Sequence, residues 1–118
     1  MKRPHFIVKA GVSNSRTASR VAALRAQVER VFPGARWTPT AAAGDATALS
    51  RAAVLDGADL VVAVGGDGTI NEVANGLMSA ANTHPVLGIV PAGSGSDFAR
   101  TLGLPRDPLA ALEVLQQG

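Results

Sequence analysis

Three sets of residues in this chain have the types and spacing to do chemistry. The first is the run Gly65-Gly66-Asp67-Gly68-Thr69-Ile70-Asn71-Glu72. Glycines here let backbone approach a ligand closely and allow positive φ. Where such a run leads from a strand into a helix, the first N–H groups and the helix dipole attract phosphate. Thr69 is placed to cap that helix and donate its hydroxyl. Asp67 would repel phosphate directly. It suits a magnesium ion beside the phosphate, or a turn that it holds by accepting N–H bonds. The second set is Pro91-Ala92-Gly93-Ser94-Gly95-Ser96-Asp97-Phe98-Ala99-Arg100. It repeats the logic, with Ser94 and Ser96 able to hydrogen-bond an anion, Gly93 and Gly95 leaving room, and Asp97 able to cap. The third is scattered. Glu72 and Asn75 share a helix face at i and i+3, where they could steady the turn, and Thr38 ends a short strand. Each has a plain alternative: a tight strand-to-helix turn, a capped loop, a solvated helix face, a structural threonine. His5 and His84 read as strand-start and loop residues with no catalytic part. No GxxxxGK[ST] occurs, and the third position after Gly66 and Gly68 is Asn71, so neither common glycine-rich phosphate motif is present.

The pattern that must position these residues alternates short apolar runs with helical ones. Strands are predicted at His5–Ala10, Ala35–Thr38, Leu60–Val64 and Val86–Val90. Helices are predicted at Thr17–Phe32, Asp45–Leu55, Thr69–Ala80, Asp97–Leu102 and from Asp107-Pro108 to Gln116. Val21, Leu24, Val28 and Val31 make one face of the first helix. Ile70, Val73, Ala74, Leu77 and Met78 make one face of the third. Leu60–Val64 is apolar throughout, as a strand buried on both sides must be. Strand and helix in alternation imply βαβ units and an α/β fold: a three-layer, doubly wound, mostly parallel sheet with helices on both faces. Ligands on such sheets sit outside the carboxyl ends of the strands, where both glycine-rich turns fall.

Composition narrows the function. At 118 residues, length predicts one domain, 1–118, and 47% hydrophobic content is that of a globular chain. With no cysteine, disulfides, thiolate metal sites and a cysteine nucleophile are excluded, and two distant histidines offer little to zinc. The N-terminal apolar stretch is too short for a signal peptide, so a cytoplasmic location is expected. Charge is divided along the chain. Residues 1–36 hold eight Lys/Arg against one acid, and residues 37–118 hold three against eight. The basic first third either faces an anion, peripheral membrane contact included, or is a solvated helix face. Three Phe and one Trp give little for base stacking, so nucleic acid is not expected as a partner.

GGDGTINEVANGL (65–77) followed by LGIVPAGSGSDFARTLGLP (87–105) resembles the nucleotide-binding half of the diacylglycerol kinase catalytic-domain family, which includes bacterial lipid kinases, sphingosine kinases and ceramide kinases. The resemblance runs from the Phe6-Ile7-Val8 strand to the DPLAALEVL helix. GGDGT alone also fits NAD kinases and, loosely, phosphofructokinases. The run-on into Asn71-Glu72 and Asn75-Gly76, and the later DFAR, favour the lipid branch. The resemblance implies nucleotide contacts at Thr38, at Gly65, Gly66, Asp67, Gly68, Thr69, Ile70 and Asn71, and at Ser94; Glu72, Asn75, Gly93, Gly95 and Asp97 are the supporting residues that the helix face and the second turn already suggest. It implies ATP phosphates over the glycine turn, Mg2+, and transfer of the γ-phosphoryl to a diacylglycerol-like lipid hydroxyl. The chain departs from the family's NPxSG segment, which reads Lys9-Ala10-Gly11-Val12-Ser13, and has Ser94 and Ser96 where Thr and Asn are usual. Family members continue into a mostly β domain carrying the lipid pocket, a structural magnesium site and the proposed general base. The expectation for residues 1–118 is therefore a nucleotide-binding domain with no catalytic residue of its own, inactive alone, and meeting lipid through that further domain. Apolar surface left by the missing half leaves a homodimer open. So do two other readings stay open: an NAD-kinase-like domain, and a stand-alone nucleotide-binding or regulatory module.

Overall fold

The computed structural model describes residues 4–9, 15–80 and 85–91. Within them the chain runs β1 (Pro4–Val8), α1 (Ser15–Val31), β2 (Arg36–Pro39), α2 (Asp45–Leu55), β3 (Leu60–Gly65), α3 (Asp67–Ser79) and β4 (Val86–Pro91). The second glycine-rich turn and the helices expected at Asp97–Leu102 and from Asp107 lie outside the described residues. The four strands form one parallel sheet in the order β2-β1-β3-β4. This is the predicted α/β architecture. The chain steps from β1 out to β2, returns across β1 to β3, and continues outward. Right-handed crossovers in opposite directions put α1 on one face and α2 and α3 on the other.

Burial follows strand parity. Phe6, Val8, Leu60, Val62, Val64 and Val90 pack with Leu24 and Val28 of α1. Ile7, Val61 and Ala63 pack with Ala46, Ala53 and Val54 of α2 and Ile70 and Val73 of α3. The apolar run of β3 is thus shared between two cores, which explains why it shows no polar alternation. Phe6 anchors the first core, its ring 5.9 Å from Trp37 and 6.2 Å from Phe32. Two cations of the basic first third have structural partners: the Arg25 guanidinium lies 5.9 Å over the Trp37 ring, and Arg36 pairs with Asp56 at 3.0 Å.

α2 and α3 touch almost backbone to backbone. A Cβ on Gly76 would overlap the Ser50 hydroxyl and the Thr47 carbonyl. Ser50, fully buried, shares its one hydroxyl proton between the Thr47 carbonyl at 3.0 Å and the Val73 carbonyl at 3.3 Å. The Thr47 hydroxyl donates to the Glu72 carbonyl at 3.0 Å. Glycine, not a larger apolar residue, therefore fills the α3 position facing α2. Met78, expected on the apolar face of this helix, is 80% exposed, because the buried stripe runs through Ile70, Val73 and Gly76 instead.

Candidate functional site

The carboxyl ends of β1, β2 and β3 open into a cleft of about 310 Å³, lined by Lys9, Thr40, Ala41, Ala42, Ala43, Ala46, Gly68, Thr69 and Glu72. It lies where the chain switches direction between β1 and β3, the place where doubly wound sheets hold ligands. Two backbone bonds draw its floor together: Lys9 N–H donates to the Val64 carbonyl at 2.9 Å, and Thr40 N–H to the Val8 carbonyl at 2.8 Å.

One wall is the start of α3. This helix begins two residues before the expected Thr69, with Gly66 as N-cap in extended backbone and Asp67 in the first turn. The first intrahelical bond runs from Ile70 N–H to the Gly66 carbonyl at 3.1 Å. No side chain caps the helix, so Thr69 is not the cap that its position suggested. It is instead the third residue of the first turn, 8% exposed, against the cleft. The first-turn N–H groups have no partner within the helix. Nor does the glycine run use positive φ, which among the described glycines occurs at Gly34, Gly44 and Gly57. What the run uses is the missing side chain. A Cβ on Gly65 would lie 2.7 Å from Thr69 Oγ1 and 3.2 Å from Lys9 Cβ. A Cβ on Gly66 or Gly68 would meet nothing within 4 Å and would project into open space. Gly65 is thus required by packing, while Gly66 and Gly68 leave space that a ligand can fill.

The opposite wall is the loop before α2. Asp45 Oδ2 accepts from the N–H groups of Ala41 and Ala42, both at 2.8 Å. Glu72 Oε1 reaches from α3 and accepts from Gly44 N–H at 2.9 Å. Gly44 has φ 90°, which suits glycine. Glu72 therefore steadies the α2 entrance across the cleft rather than its own glycine turn. From the sequence Asp45 marks only the start of a helix. The Gly44-Asp45 pair after a run of small residues was the signal for its loop-holding role.

Thr38 is placed elsewhere. Its register partner is Ile7, on the α2 face of the sheet, and Thr38 Oγ1 shares a 2.7 Å hydrogen bond with His5 Nε2. The strand continues to Pro39, and the threonine that lines the cleft is Thr40, which sequence reasoning missed. His5 is buried, not a bystander at the strand start. Burial first, and then the Arg36 charge, hold its pKa below the ordinary 6.5, against an opposing effect of Asp56. Of the other predicted residues, Ile70 is a core side chain and offers a ligand only backbone. Asn71 and Asn75 are exposed on α3 and do not line the cleft. Ser94, Gly93, Gly95 and Asp97 lie outside the described residues.

Among the described residues no group of three His, Asp or Glu side chains could hold a metal ion. The cleft's own carboxylate, Glu72, is engaged by Gly44. The described residues thus do not build a metal site by themselves, and magnesium here would have to arrive with phosphate oxygens. Among the described residues, too, no helix is long and apolar enough to cross a membrane.

The family described as the diacylglycerol kinase catalytic domain matches residues 5–118. A diacylglycerol kinase of Bacillus subtilis (strain 168) is 53% identical over 80 residues, which is 67% of this chain and 26% of that protein. One from Staphylococcus aureus (strain JH9) is 44% identical over 75 residues, 64% of this chain and 24% of that protein. The chain thus spans about a quarter of the length of these curated relatives. The crystal structure of a diacylglycerol kinase from Bacillus anthracis str. Sterne superposes with a TM-score of 0.78 at 30% identity, covering 98% of this chain and 43% of that one.

Proposed function

The chain belongs to the diacylglycerol kinase catalytic-domain family, and from that premise we propose that it is the nucleotide-binding part of an ATP-dependent lipid kinase, with its cleft receiving the ATP phosphates. The observation that carries the reading is the uncapped start of α3, where Gly66 and Gly68 leave open space beside N–H groups without helix partners. Such an arrangement binds phosphate by backbone donors and the helix dipole. When bound, ATP with Mg2+ supplies the γ-phosphoryl group that the reaction transfers. The chain's own residues hold and orient: the α3 N–H groups take phosphate oxygens, and Gly66 and Gly68 admit them. Asp45 and Glu72 keep the facing loop in place from the other side. Positioning of this kind is most of what a phosphoryl-transfer enzyme must provide.

The names of the relatives favour diacylglycerol as acceptor class over the NAD-kinase alternative. A general base must reach the acceptor hydroxyl. In the described cleft the carboxylate is Glu72, already bonded to Gly44. The described residues thus offer no free carboxylate in the cleft as base, and we expect the 118-residue chain to bind ATP without turning over lipid.

The test is thermal denaturation of the 118-residue chain with increasing ATP. At a concentration 100-fold above Kd, binding adds about 2.7 kcal/mol to stability and raises Tm. Asp67→Ala is expected to remove the MgATP-dependent part. No rise in Tm at millimolar ATP overturns the nucleotide assignment. Phosphorylation of diacylglycerol by the isolated chain at a rate typical of kinases overturns the expectation of no lipid turnover.

A further inference from the structure

Resting on the reading of this cleft as a phosphate site, we propose that Lys9 supplies the cation that holds the nucleotide's terminal phosphates. Lys9 opens the segment in which the chain departs from its family's Asn-Pro, and no motif gave it a role. Three observations do. Its backbone is fixed at the switch point by the 2.9 Å bond from its N–H to the Val64 carbonyl. Its side chain is exposed, lines the same cleft as Gly68 and Thr69, and starts against the glycine turn, with Cβ 3.2 Å from where a Gly65 Cβ would be. Among the described residues its ammonium has no ion-pair partner, whereas Arg36 of the same basic third is paired with Asp56.

Charge decides the matter. The lining holds two ionised side chains, Lys9 and Glu72. Glu72 is tied to Gly44, so its carboxylate stays beside the cleft. Without Lys9 the lining would carry a net −1, and a polyphosphate entering it would be repelled. With Lys9 the lining is neutral and the α3 N-terminus adds its partial positive charge. An ammonium on a flexible stem suits phosphate as a point charge, without the fixed fork of arginine. Lys9 thus makes the cleft favour a triphosphate over a nucleoside.

Calorimetric titration of the full chain with adenosine, AMP, ATP and inorganic tripolyphosphate tests this, using wild type, Lys9→Met, Lys9→Gln and Lys9→Arg. Methionine keeps the stem against Gly65 and removes only charge; glutamine covers the case in which the methionine variant does not fold. Lys9→Met or Lys9→Gln is expected to weaken ATP and tripolyphosphate about tenfold, equivalent to about 1.4 kcal/mol, and to leave adenosine unchanged. Lys9→Arg is expected to restore most of the loss. The fall of ATP affinity with added salt should be shallower in the neutral variants. Neutral variants that bind ATP and tripolyphosphate like wild type overturn the role of Lys9 while the phosphate site stands. An equal loss for adenosine also overturns it, by showing a structural effect. A wild-type chain that binds neither ATP nor tripolyphosphate overturns the phosphate-site reading itself.

Discussion

Replacing Gly76 by alanine tests the geometry on which the cleft depends, because α2 and α3 form its two sides. The added methyl would overlap the Ser50 hydroxyl and the Thr47 carbonyl and lie 3.2 Å from the Arg51 backbone nitrogen. Two of those three atoms are backbone, so rotating one side chain does not make room. Overpacking at such a site costs about 3 kcal/mol, the upper end of the usual range. Displacing Ser50 from its two carbonyl acceptors adds about 1 kcal/mol. Against this, alanine is a better helix former than glycine by about 1 kcal/mol. The net expectation is a loss of about 3 kcal/mol, or a Tm lower by about 10 °C for a domain of this size. Urea and thermal denaturation, followed by far-ultraviolet circular dichroism, measure it directly. Ser50→Gly in the Gly76→Ala background removes the side-chain part of the clash and should recover about 1 kcal/mol or more as a coupling energy. A Gly76→Ala chain as stable as wild type, or more stable, would refute the reasoning: helix propensity would then outweigh a contact that the two helices do not make. Because Glu72 and Thr69 sit on one of these helices and Gly44 and Ala46 beside or on the other, the same substitution should weaken ATP binding as well.

Three further outcomes follow from individual bonds. His5 is held neutral in the fold, with its pKa below the ordinary 6.5, so the unfolded chain takes up the proton more readily. Its contribution is complete above about pH 6.5 and is lost as pH falls below that value, so the Tm advantage of wild type over His5→Gln should be constant above about pH 6.5 and shrink below it. Asp45→Ala removes the acceptor of two loop N–H groups; since both bonds are exposed, it should cost about 1 kcal/mol in denaturant unfolding yet speed amide exchange at Ala41 and Ala42 far more. Arg36→Ala breaks an ion pair whose partners are 68% and 61% exposed, and should change stability by no more than about 0.5 kcal/mol, an effect that 1 M salt abolishes.

What the sequence revealed and what it hid divide along physical lines. The helix Asp45–Leu55 appears with the expected bounds because a charged first residue, small-residue loop and terminal Asp56-Gly57 all mark its ends. The double burial of Leu60–Val64 was legible because its apolar run is unbroken. The start of α3 was misplaced because glycine is a poor helix former by propensity. Packing of Ile70 and Val73 into the second core outweighs that cost and draws Gly68 into the helix. Thr38 lies against His5 and Thr40 lines the cleft because strand parity decides which way a side chain lies, and a single threonine in a short strand carries no sign of that parity. The bond to His5 joins residues 33 apart and leaves no local trace. Lys9 stood in a motif read for what it lacked, so its own charge was overlooked.

The wall built from Ala41, Ala42 and Ala43 has a practical consequence. Its backbone is fixed from outside, by Asp45 and by the bond of Glu72 to Gly44, while its three methyl groups are exposed and lie along the cleft. Shape and chemistry are therefore specified by different residues. The alanines can be exchanged for larger or charged side chains without loosening what holds them, so the rim can be retailored while its scaffold stays constant. A library restricted to positions 41–43 would vary what the cleft admits at little risk to folding, and for a directed-evolution experiment on ligand preference these are the positions to randomise first.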